Sequence, residues 1–161
     1  MRGGSLPPAL LFAALGLALA FAPRRIIGPA VVLAVLAAIG ASFLRVATSW
    51  EDPIFLGCWI GVALAAASVH IPGGVRPAWA LILALNTGLW AGAVVAAAGH
   101  PIDLAISAPA ALLCVPGAWL VATGRGIAVK VAASWLIAVG VLALCLQLAP
   151  TTPGYKPDHM E

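Results

Sequence analysis

RPAWALILALNTGLWAGAVVAAAGHPID, residues 76–103, is the stretch whose reading decides the fold. Between Arg76 and the His100-Pro101-Ile102-Asp103 group lies one uninterrupted apolar run, residues 77–98, with Asn86 near its middle. At about 1.5 Å per residue the run makes a helix of about 33 Å, enough to cross a hydrocarbon core of about 30 Å with little tilt. Asn86 then sits near mid-depth. An amide in hydrocarbon must find a hydrogen-bond partner, so the Asn86 face is expected to turn toward other protein.

The rest of the chain repeats this pattern. Of 161 residues, 63% are hydrophobic and 8% charged, with a mean hydropathy of +1.11. A soluble domain carries about a quarter of its residues charged and could not absorb so much apolar surface. The expected fold class is therefore all-α: a polytopic membrane protein of six transmembrane helices with short loops. Residues 1–150 form that domain and residues 151–161 a polar, proline-interrupted tail.

Taken in order, residues 8–22 form a short first span, extended by Leu6 and Pro7. Its basic start, short apolar middle and small terminal residues imitate a secretory signal peptide, but Pro23 directly after Ala22 is a poor neighbour for a cleavage site. Residues 23–29, with two prolines and a glycine, read as a turn, and the second span runs from Pro29 or Ala30 to about Val46. The third covers residues 54–70 and ends at Ile71-Pro72-Gly73-Gly74. The fourth is the opening stretch. The fifth, residues 104–123, holds Pro109 and Pro116-Gly117, each proline removing a helical hydrogen bond, so a bend or local unwinding is expected there. The sixth covers residues 127–149.

Sorting charges by side gives an orientation. With six spans, Arg24, Arg25, Arg76, Arg125 and Lys130 share one face, against Arg2, Arg45 and Lys156 on the other. All five acids, Glu51, Asp52, Asp103, Asp158 and Glu161, fall on the second face. Because cytoplasmic loops carry the excess of Lys and Arg, both termini are expected outside a bacterial-type inner membrane. The net charge of +3 is scattered among turns, which is membrane-protein placement and not a nucleic-acid footprint.

Two packing motifs stand out. Gly57-Cys58-Trp59-Ile60-Gly61 and Gly88-Leu89-Trp90-Ala91-Gly92 share the pattern Gly-x-Trp-x-Gly. Glycines four apart open one face of a helix to close backbone approach, so the third and fourth spans are expected to pack through Gly57, Gly61, Gly88 and Gly92. An inverted repeat, as in some transporters, is the alternative, but a few matching letters in an alanine-rich chain carry little information. Trp50, Trp79 and Trp135 fall near span ends as an aromatic belt, and Trp59, Trp90 and Trp119 fall deeper as packing residues.

Chemistry is sparse. No acid, histidine or lysine falls mid-span, which counts against proton relays and ion pumps. The nearest approach to a midplane site joins Asn86 and Thr87 to the Pro116-Gly117 break, where Pro116 leaves the Leu112 carbonyl without its helical donor. Pairing of that amide with the freed backbone is expected to fix helix packing rather than hold a substrate, since one amide gives little selectivity. His100, Asp103, Asp158 and His159 are weak candidates for a divalent metal on the outward face. Cys58, Cys114 and Cys145 lack paired spacing and read as small packing residues, with a Cys58–Cys145 bridge left open by their similar depth. No nucleophile elbow or facing histidine pair is present, so neither an enzyme nor a cofactor is expected. The expected role is an accessory subunit of a membrane assembly, whose partners are the bilayer and other subunits or itself. A small oligomeric permease for a solute or metal ion, with its pathway near Asn86 and the broken fifth helix, is the alternative.

Overall fold

The computed structural model describes residues 5–149. All regular elements among the described residues are helical. They are α1 (Leu6–Leu19), α2 (Arg24–Ser42), α3 (Glu51–Ala67), α4 (Pro77–Ala98), α5 (Pro101–Ser107), α6 (Cys114–Ala122) and α7 (Gly126–Leu148). Short 3-10 turns, Thr48–Trp50 and Ser68–His70, flank α3, and a third, Ala108–Leu113, joins α5 to α6. Among the described residues, five helical stretches are long and apolar enough to cross a membrane: α2, Thr48–His70, α4, Pro101–Ala122 and α7. The first helix is apolar but shorter. Together they point to a multi-pass membrane protein.

α4 begins and ends where the apolar run does. Pro77 at its first position needs no hydrogen-bonded N–H, and Arg76 and Gly99 lie in extended backbone on either side. α2 differs from expectation: Arg24 and Arg25 are its first residues, and Pro29 lies inside it. Only Pro23 acts as the stop. In the second turn of a helix a proline loses one backbone bond, and the continuous apolar surface beyond it holds the helix together. α2 ends at Ser42, and residues 44–46 belong to the connection to α3.

The fifth span breaks, but ahead of Pro116 rather than at it. Pro109 opens the six-residue 3-10 turn, and the next α-helix starts at Cys114, with Pro116 in its first turn where an N–H is not needed. α6 ends in a Schellman motif: Arg125 N–H donates to the Leu120 carbonyl at 2.8 Å and Gly124 N–H to that of Val121 at 3.2 Å. Gly124 takes φ +76°, a conformation that costs glycine little.

The shortest helix of the six apolar spans occupies the centre. Leu11, Phe12, Ala14, Leu15, Ala18 and Leu19 of α1 are fully buried, and α1 packs against α3, α4, α5, the 3-10 turn, α6 and α7. A helix walled in by protein need not match a bilayer by its own length. Its end is clasped, with the Phe21 carbonyl accepting from Val75 N–H at 3.2 Å and the Phe21 ring 3.7 Å from where a Gly126 Cβ would lie. Arg24 and Arg25 at the start of α2, Arg76 and Arg125 in connections, and Lys130 in the second turn of α7 therefore gather toward one end of the bundle.

α2 is an outrigger on α4. It buries Ala30, Ala34, Ala38 and Ala41 and leaves Val32, Leu36 and Ile39 exposed, with Phe43 exposed just past its end. α7 behaves alike, burying Val129, Ala133, Leu136 and Gly140 while exposing Val131, Trp135, Leu142 and Leu146. Apolar faces of this extent are unusual on soluble monomers.

The turn before α5 is locally built. His100 and Asp103 form a capping box: Asp103 Oδ2 accepts from the His100 N–H at 2.8 Å and His100 Nδ1 from the Ile102 N–H at 3.5 Å. Asp103→Ala is expected to lower stability by about 1 kcal/mol, the worth of a helix cap. Thermal unfolding in detergent checks it, and Asp103→Asn should recover most of the loss.

A candidate polar site on α4

Asn86 and Thr87 sit at the middle of α4 where four helices meet. Asn86 Oδ1 accepts from Trp90 Nε1 at 3.2 Å, one turn along the same helix. An indole N–H only donates, so it fixes which end of the amide faces it. Nδ2 then points toward α3 and α1, 3.3 Å from where a Gly61 Cβ would lie, a spot that Leu11 Cδ1 also approaches to 3.2 Å. The Trp90 ring lies over Gly57, with its atoms within 2.5 Å of a Cβ built there. Gly57 and Gly61 thus make the notch that admits the Trp90–Asn86 pair.

Gly88 and Gly92 turn elsewhere. A Cβ on either would stand 2.3 Å from a carbonyl oxygen of α2, Ala34 for Gly88 and Ala38 for Gly92. The matching four-residue steps mean that α2 and α4 run parallel. Their approach is close enough for Cα–H···O contacts of the kind that recur between tightly packed helices. The two glycine pairs therefore do not face each other. Those of α3 receive an aromatic ring from α4, and those of α4 receive the α2 backbone.

The expected link from Asn86 or Thr87 to the fifth span does not form. Leu112 is exposed, and α1 holds the 3-10 turn, with the Ala111 carbonyl oxygen 2.7 Å from a Cβ built on Gly16. α1 thus supplies the surface against which the break packs. Pro116 is exposed at the start of α6, and Gly117 faces the residue that follows α1, where its Cβ would meet Ala20 Cβ at 2.8 Å.

Asn86 Nδ2 and Thr87 Oγ1 are closed off from solvent and have no hydrogen-bond partner. A buried hydroxyl with no partner costs about 1–3 kcal/mol. Thr87→Val, which keeps the shape and removes the hydroxyl, is expected to raise stability by about 1 kcal/mol. A fall in the unfolding midpoint would instead mean that Thr87 holds a partner in the protein in solution.

His100 and Asp103 are occupied by the helix cap, and no group of three or more metal-ligating side chains occurs among the described residues. Asp158 and His159, with the whole expected tail, lie outside the described residues. Cys58, Cys114 and Cys145 are unbridged. Trp119 is exposed on α6 rather than packed inside, because the 3-10 turn rotates α6 and leaves that side of it outward.

Two contacts carry no sequence signal. Trp79 Nε1 donates to Ser68 Oγ at 3.0 Å, and Ser68 Oγ donates to the Leu64 carbonyl at 2.9 Å, tying α4 to the end of α3. Ser134 Oγ lies 3.3 Å from His70 Nε2, joining α7 to the same end. Partners 64 positions apart are invisible to local pattern. Comparison with known proteins finds no matching family model, curated protein or solved structure.

Proposed function

We propose that this chain is a non-catalytic subunit of an inner-membrane assembly, crossing the bilayer six times with both termini outside. The observation that carries this reading is the burial of two polar atoms in the middle of α4: Asn86 Nδ2 and Thr87 Oγ1 reach no solvent, although the Asn86 residue as a whole is only half-buried. A permease using that position needs a wetted path to it, whereas a packing subunit needs deep polar atoms enclosed and apolar faces free at its sides. The outward faces of α2 and α7 meet the second requirement. The clustering of Arg24, Arg25, Arg76, Arg125 and Lys130 at one end supports placing that end in the cytoplasm.

Purification in mild detergent tests the role. A membrane protein partner, or a second copy, should remain at fixed stoichiometry, and Trp135→Ala combined with Leu142→Ala should release it if α7 is the docking face. Solute flux in proteoliposomes that disappears in Asn86→Leu would overturn the reading in favour of a permease. For orientation, a C-terminal reporter fusion should be active only outside the cytoplasm.

A further inference from the structure

α2 and α6 converge without closing, and between them lies a groove of about 310 Å³ open to the side of the bundle. Ile27 of α2 and Val115, Ala118, Trp119 and Ala122 of α6 form its walls, and Arg24 stands at its basic end. Because α2 is held along α4, the 3-10 turn that redirects α6 leaves this gap. We propose that the groove binds one anionic phospholipid, with its phosphate at Arg24 and part of one acyl chain along α6. This site rests on the membrane reading of the chain and adds to it a specific lipid.

Charge selects the occupant. Arg24 and Arg25 open α2, and Arg125 lies in the connection at the same end. Glu51, Asp52 and Asp103 open α3 and α5 at the other end. Pro23 caps α2 without a side-chain hydrogen bond, so the first amides and the positive end of the helix dipole add to the guanidinium attraction. Apolar walls beneath a basic mouth fit a phosphodiester bearing hydrocarbon. Basic pockets between helices on the cytoplasmic side are a recurrent form of lipid-headgroup site. The exposed indole of Trp119 supplies a flat apolar wall of the kind that suits the interface between headgroups and chains.

Native mass spectrometry of the full chain, delipidated and then offered phosphatidylglycerol or phosphatidylcholine, tests this. Wild type should retain phosphatidylglycerol about fivefold better, the preference expected of one arginine near an anionic surface. R24Q should abolish the preference, and Ala118→Trp, which fills the groove, should reduce retention of both lipids. R45Q, at the opposite end, should behave as wild type. Equal preference in R24Q and wild type, or equal loss in R45Q, overturns the site. Carbonate washing of vesicles separates the two readings: extraction of the wild-type chain sinks the membrane reading, and retention without lipid preference sinks the groove alone.

Discussion

Gly92→Leu is expected to detach α2 from the bundle. A Cβ at this position stands 2.3 Å from the Ala38 carbonyl oxygen and 2.6 Å from Ala41 Cβ, so even alanine forces the two helices apart. The obstruction is backbone, which cannot rotate away as a side-chain tip can. Overpacking of a well-fitted contact costs about 1–3 kcal/mol, and leucine at a backbone-to-backbone contact belongs at or above the top of that range. α2 also has little else to hold it, since its buried surface is an alanine stripe directed at α4. Limited proteolysis in the connection between α2 and α3, which includes Arg45, should accelerate roughly tenfold or more, the factor that about 1.4 kcal/mol of local opening produces, with the remaining helices still folded. Gly40→Ala supplies the control. That glycine is inside α2 with nothing within 4 Å, so alanine should be neutral or stabilise by up to about 1 kcal/mol through helix propensity. Comparable damage from both substitutions would show that the α2–α4 contact at Gly92 does not govern the result.

The second large effect is at the centre. Gly16→Leu should unfold the bundle or empty its middle, because its Cβ would lie 2.7 Å from the Ala111 carbonyl oxygen and 3.2 Å from that of Ala110. These carbonyls belong to the 3-10 turn between Pro109 and Pro116, where the regular hydrogen-bond ladder is interrupted. α1 accepts that irregular backbone only where it has no side chain. A milder probe is Phe12→Ala, which removes a fully buried ring from the same helix and should cost about 3–5 kcal/mol. Both substitutions are read as loss of the cooperative thermal transition in detergent. A Gly16→Leu protein that unfolds at the wild-type temperature would mean that α1 is not packed against the 3-10 turn.

Much of the architecture is legible from individual residues. Arg76, Pro77 and Gly99 bound α4, because charge and proline end an apolar helix by local chemistry. Pro109 and Pro116 announce the break in the fifth span for the same reason. Its placement between them is not legible, since it depends on what Gly16 of α1 can accept. Likewise Pro29 has the local chemistry of a stop, and only the surface shared by α2 and α4 carries the helix through it. For the candidate site, Asn86 is conspicuous in the sequence as a deep amide. Its partner Trp90 stands one turn along the same helix, and the i, i+4 spacing is signal enough to find it. Its neighbours Gly61 and Leu11 leave no such signal.

Sequence alone determined the apolar spans, their order, and the gathering of basic residues at one end, because hydropathy, prolines and charges act within a few residues of themselves. Only the tertiary structure decided that the shortest apolar span lies at the centre, that the glycines of α4 receive α2, and that a lateral groove remains beside Arg24. Those outcomes depend on which surfaces fit together at van der Waals distance, and an alanine-rich helix presents nearly the same letters on every side.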